Sequence, residues 1–156
     1  MQYPTAKTYE LQKRNFKALA PTHKRILVVE DDHEMCALVA GVIFSIEAEA
    51  EVDWASSAER ARALLARRAV RKESPYDLVL VDIFLEGEAS GLDFWKDLQQ
   101  QLPEVPIVMT SCMPMHKFFT AVGPGVVAPP FLEKPFKPAE CRRVFQALLN
   151  EDVFTG

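Results

Sequence analysis

The sequence predicts an α/β domain: a doubly wound parallel sheet of five strands, each followed by a helix. Two observations lead to it. Short apolar runs rich in β-branched residues, such as Ile26–Val29 and Leu78–Val81, are too brief for buried helices and read as strands covered on both faces. Between such runs, apolar residues return at helical spacing, the alternation expected of βα units. With 156 residues, 49% of them apolar, the chain can bury one sizeable core.

Residues 1–24 are polar and basic and read as an N-terminal extension; Tyr9, Lys13, Phe16 and Ala20 give only a weak helical stripe. The domain is expected over residues 25–150, leaving 151–156 as a tail. Strand one, Ile26–Val29, stops at Glu30-Asp31-Asp32, and Met35, Leu38, Val39, Val42 and Ile43 then mark helix one. Val52 and Trp54 alternate with polar neighbours as on an edge strand. Ser56-Ser57-Ala58-Glu59 offers a capping box to helix two, which carries Ala61, Leu64 and Leu65. Arg67, Arg68, Arg71 and Lys72 suit the negative end of that helix's dipole and read as a solvated basic end. Strand three, Leu78–Val81, ends at Asp82, and helix three follows Gly91 with Leu92, Trp95 and Leu98. Pro106–Ser111 is the fourth strand, its proline at the tolerated first position. Pro114, Gly123, Pro124, Gly125, Pro129 and Pro130 leave room only for a short or irregular fourth helix within Met113–Val122. Phe131–Glu133 is a minimal fifth strand. The last helix starts at Pro138 and buries Cys141, Val144, Phe145, Leu148 and Leu149.

Composition narrows the function classes. A net charge of −4 argues against direct nucleic-acid binding, which needs clustered basic charge to displace counterions. No apolar run is long enough to span a bilayer, and Met1–Lys17 lacks the apolar stretch of a signal peptide. Cys36, Cys112 and Cys141 are odd in number and lack metal-ligand spacing, so neither a disulfide framework nor a zinc site is expected. A soluble, cytoplasmic protein fits these features.

The chemistry sits at the strand ends. In an open parallel sheet, ligands gather beyond the carboxyl ends of the strands. There lie Glu30-Asp31-Asp32, Asp82, Thr110-Ser111 and Lys134-Pro135, from four different strands. Singly, each is an ordinary solvated loop residue or helix cap. As a set they suit phosphoryl transfer. A carboxylate attacking a phosphoryl group meets like charge, which a hard cation such as Mg²⁺ offsets through oxygen ligands, here Glu30, Asp31 and Asp82. Lys134 and Ser111 can bind the remaining phosphoryl oxygens. Asp82 is then the nucleophile and forms an acyl phosphate.

The motifs ILVVEDD, YDLVLVDIFLEGEASG, PIVMTS and FLEKPF resemble, in order and approximate spacing, those of the receiver domains of two-component response regulators, over Arg25 to about Leu149. That resemblance implies the flavodoxin-like (βα)5 fold with strand order 2-1-3-4-5. It implies Mg²⁺ bound directly by Asp31, Asp82 and the backbone carbonyl of Phe84, with Glu30 acting through water and Asp32 a spectator or cap. It implies a switch in which Ser111 is coupled to Phe131, which turns inward on phosphorylation, and a cis Lys134-Pro135 bond. The implied phosphodonor is a histidine kinase or histidine phosphotransfer protein, and the implied action is a change of protein contacts, with a homodimer among the forms to expect. Both a stand-alone receiver and the receiver of a longer chain fit the sequence.

Some positions depart from the family's pattern. Cys112 stands where Ala or Gly is usual after the hydroxyl residue, and it narrows the expected path to Asp82. Phe84 and Met113 occupy the two positions that tune the lifetime of the phosphorylated form; both are apolar, so slow autodephosphorylation is expected. The Pro124–Pro130 stretch falls where the family ends helix four, and it reads either as loop variation or as a rebuilt signalling surface. His116 takes no role, and Trp54 and Trp95 read as core or rim aromatics. A phosphohydrolase of the haloacid dehalogenase type would need a second Asp where Phe84 stands, so a switch is favoured over a turnover enzyme. A pseudo-receiver that binds partners without phosphorylation is the remaining alternative.

Overall fold

The computed structural model describes residues 23–150; the helical stripe considered around residues 9–20 and the tail at 151–156 lie outside the described residues. The elements run β1 (Arg25–Val29), α1 (His33–Ile46), β2 (Glu51–Ala55), α2 (Ala58–Val70), β3 (Leu78–Asp82), α3 (Gly91–Gln101), β4 (Ile107–Ser111), α4 (Met115–Val122), β5 (Phe131–Glu133) and α5 (Pro138–Leu149). The five strands are parallel in the order β2-β1-β3-β4-β5. This is the doubly wound, flavodoxin-like arrangement that the sequence predicts.

Strand alternation divides the interior in two. Even-numbered residues of β1, β3 and β4 (Ile26, Val28, Leu78, Leu80, Val108) pack with Val39, Val42 and Ile43 of α1 and Cys141, Phe145 and Leu149 of α5. Odd-numbered ones (Leu27, Val29, Val79, Val81, Ile107, Met109) pack with α2, α3 and α4 through Ala61, Leu65, Phe94, Trp95, Leu98 and Phe118. Burial on both faces explains why β1 and β3 read as unbroken apolar runs rather than alternating ones. Trp95 is core, whereas Trp54 on the edge strand β2 is 41% exposed.

Two local expectations, the cap of α2 and the solvation of its basic end, are corrected. Ser57, not Ser56, caps α2, accepting the Arg60 N–H at 3.1 Å. Glu59 is therefore one position too early to close a box, and its Oε1 instead accepts the Ala89 N–H at 3.0 Å, across the gap to the β3–α3 loop. The reciprocal capping box forms at α3, between Ser90 and Asp93. The basic end of α2 is only partly solvated. Arg68 lies over the Tyr76 ring, 4.6 Å from its centroid, and donates from Nε and Nη2 to the Ser74 carbonyl at 2.9 and 2.7 Å. The buried Tyr76 in turn donates to Asp53 Oδ2 at 2.6 Å. The fourth helix is short, as expected, beginning at Met115 after Pro114, and Gly123, with φ +91°, ends it.

Candidate functional site

Parallel register assembles the site. Val29 of β1 lies opposite Val81 of β3, so Glu30 and Asp82 leave the sheet side by side. Asp82 lies opposite Thr110, and Ser111 opposite Glu133, which brings Lys134 to the same edge. Asp82 shares its parity with Leu78 and Leu80, on the α1/α5 face, whereas Ser111 and Phe131 share theirs with Met109, on the α4 face.

Lys134 Nζ donates to Asp82 Oδ2 at 2.8 Å and to both carboxylate oxygens of Glu30 at 3.1 Å. Asp82 and Glu30 are each only 4% exposed. Asp82 Oδ1 accepts the Phe84 N–H at 3.1 Å, and Glu30 Oε1 accepts the Asp32 N–H at 3.2 Å. The half-buried Asp31 completes an acidic cluster with Glu30 and Asp82, whose ligand oxygens lie within 4.8 Å of one another. Asp32 turns away to cap α1, accepting the N–H groups of Glu34 and Met35 at 2.9 and 3.3 Å.

The Lys134 ammonium thus serves both Glu30 and Asp82, with Asp31 beside them, and the surplus of negative charge is felt in the protonation of Glu30. Burial, and then the neighbouring Asp82 charge, push Glu30 up to about 7 despite the opposing pull of Lys134. Lys134 is itself raised: burial alone would lower it, but the hydrogen bond and charge of Asp82, followed by those of Glu30, outweigh that. Oxygen donors with surplus negative charge form a site suited to a hard divalent cation.

The hydroxyl and the aromatic lie nearby. Ser111 is fully buried, its Oγ accepts the Met113 N–H at 3.0 Å, and its carbonyl accepts the Lys134 N–H at 2.8 Å. Phe131 is half-buried and stacked on Phe118 of α4, with centroids 4.4 Å apart and planes 10° apart. The neighbouring Thr110 bonds to the Leu132 carbonyl at 2.8 Å and so ties β4 to β5. The Lys134–Pro135 bond is cis. Cys112 is exposed, Met113 is half-buried against the core, and the Phe84 side chain is 55% exposed at the rim.

Two residues that matter here carried no role in the sequence reading. A Cβ on Gly91 would fall onto the backbone carbonyl of Asp82, so only glycine lets α3 start this close to the acidic cluster. Its place at the head of a helical pattern was the only available signal. Phe118 was hidden inside a segment broken up by prolines.

The sequence profile of the response regulator receiver domain matches residues 26–146. The chain belongs to that family. The nitrogen assimilation regulatory protein NtrX of Azorhizobium caulinodans is 34% identical over 113 residues, which cover 71% of this chain and 23% of the relative. The crystal structure of NtrX from Brucella abortus superposes with a TM-score of 0.68 at 30% identity, covering 86% of this chain and 28% of that one. The chain therefore spans about a quarter of the NtrX proteins that it matches. The non-phosphorylated receiver domain of HemR from Leptospira biflexa shares the fold, with a TM-score of 0.64 at 22% identity, covering 81% of this chain and 94% of that one. Among the described residues, no helix is long and apolar enough to cross a membrane.

Proposed function

We propose that the chain is a phosphorylation-controlled switch in which Asp82 accepts a phosphoryl group from a phosphohistidine of a histidine kinase or phosphotransfer protein. The observation that carries this reading is the contact of Lys134 with both Asp82 and Glu30 beside Asp31, four groups drawn from three strand ends into one small volume. An Asp82 oxygen attacks phosphorus as the bond to the donor imidazole breaks, leaving the electron pair on its nitrogen. Lys134, already within reach of Asp82 Oδ2, moves to a phosphoryl oxygen, and the Ser111 hydroxyl leaves the Met113 N–H to donate to another. A bound Mg²⁺ would offset the like charge of carboxylate and phosphoryl oxygens. Asp31, Asp82 and the Phe84 carbonyl would hold it directly, and Glu30 through water. Phe131 reports the position of Ser111 to α4 through its stack on Phe118.

Beryllofluoride, which mimics an acyl phosphate on Asp, tests this reading. Added with Mg²⁺, it should shift the amide resonances of β4, α4 and β5 in the native chain and leave Asp82→Asn unchanged. A native chain that does not respond is instead a pseudo-receiver that binds partners without phosphorylation.

A further inference from the structure

Between β3 and α3, residues 83–90 carry the Phe84 peptide past Asp82, and this loop is held from outside itself. We infer that Glu59, in the first turn of α2, is a positioning residue: it clasps residues 86–89 and thereby fixes the Phe84 peptide beside Asp82. The inference rests on the reading of Asp82 and its neighbours as a cation and phosphoryl site.

The geometry is specific. Glu59 Oε1 accepts the Ala89 N–H at 3.0 Å, and two residues before Glu59, Ser57 pairs with Glu86 in an isolated parallel bridge. Gly87, between these two tie points, has φ +89°, and a Cβ there would lie 2.6 Å from Glu59 Oε2. The positive φ favours glycine at that position, and a Cβ there would displace the Glu59 carboxylate from its clasp. Hydrogen bonds from the backbone, that of Ala89 foremost, hold the Glu59 carboxyl below its ordinary range. At the far end of the loop, Gly91 donates to the Ile83 carbonyl at 2.9 Å and packs on the Asp82 carbonyl.

The loop has little else to order its middle. Glu86, Gly87 and Glu88 are exposed, and only Leu85 and Ala89 pack partly against the core. A cation ligand on a loop binds well only if the loop is already placed, because ordering it on binding subtracts from affinity. Glu59 supplies that order without touching the cation or Asp82. Its position two residues into a helix explains why it resembled half of a capping box.

The test compares the full native chain with Glu59→Ala, Glu59→Gln and Gly87→Ala by Mg²⁺ titration, with melting curves and amide exchange recorded without metal. Glu59→Ala should weaken Mg²⁺ binding about ten-fold, the low end for partners that orient ligands. It should do so at an unchanged melting midpoint and with faster exchange at Ala89. Glu59→Gln keeps an acceptor oxygen and should retain most of the affinity, which separates positioning from simple charge attraction. Gly87→Ala should weaken binding in the same direction as Glu59→Ala. Native affinity in Glu59→Ala, or equal losses in Glu59→Ala and Glu59→Gln, overturns the clasp alone. A native chain that binds no Mg²⁺ overturns both the clasp and the cation site.

Discussion

Lys134→Ala removes the ammonium that bridges Glu30 and Asp82, and its cost should depend on pH and on cations in a defined way. Deleting one partner of a buried ion pair typically costs about 3–5 kcal/mol. Here the Lys134 side chain keeps 17% of its exposure, and Glu30, already at about 7, can take a proton in relief. A loss of about 2–3 kcal/mol at pH 8 is therefore expected, lowering the melting midpoint by roughly 4–12 °C for a domain of this size. The sign follows from Glu30. Its folded pKa is raised above the ordinary 4.5, so ionising it opposes folding as pH climbs from there towards 7. Without Lys134 the folded pKa rises further, and the native chain and the variant diverge most above pH 7. Over that range Lys134 stays charged, because its own pKa is raised. Mg²⁺ should narrow the gap by replacing the lost positive charge. Urea unfolding at pH 5 and pH 8, with and without Mg²⁺, measures all three effects. A gap no wider at pH 8 than at pH 5, or equal stabilisation of both chains by Mg²⁺, would refute the reasoning.

Other outcomes follow from the same structure. In Asp82→Asn, Glu30 loses the repulsion of a neighbouring charge but not its burial, so an NMR titration should find its pKa below about 7 yet above the ordinary 4.5. Gly91→Ala should destabilise by about 1–3 kcal/mol in urea, because its Cβ meets the Asp82 carbonyl; a stabilised variant, as helix propensity alone would give, would contradict that close approach. Phe118→Ala should cost about 3–5 kcal/mol, since Phe118 is fully buried and stacked on Phe131, and it should blunt the beryllofluoride response of α4. The phosphorylated chain should lose its phosphoryl group slowly, and Phe84→Ala should quicken that loss by admitting water; a native half-life already very short would count against an apolar guard at Phe84 and Met113.

Much of the fold was legible because burial on both faces writes itself into β1 and β3 as unbroken apolar runs, while α1, α3 and α5 keep a clear helical stripe. The acidic cluster and Lys134 were legible because parallel register places strand ends side by side, so residues just past Val29, Val81 and Glu133 had to meet. What escaped was tertiary in origin. Arg68 looked like a solvated helix end because nothing local announces the Tyr76 ring beneath it. Glu59 looked like part of a cap because its real partner, the Ala89 N–H, lies 30 residues further on. Phe118 stood among prolines that obscure a short helix, and the reason for Gly91 is a backbone from another element.

The most direct test of the central claim is to incubate the chain with Mg²⁺ and a small acyl phosphate donor, then measure its intact mass and map the modified peptide. The native chain should gain one phosphoryl group, labile to hydroxylamine and located on Asp82, and Asp82→Asn should gain none. A native chain that gains nothing, or a gain that persists in Asp82→Asn, would contradict the assignment of Asp82 as the phosphoacceptor.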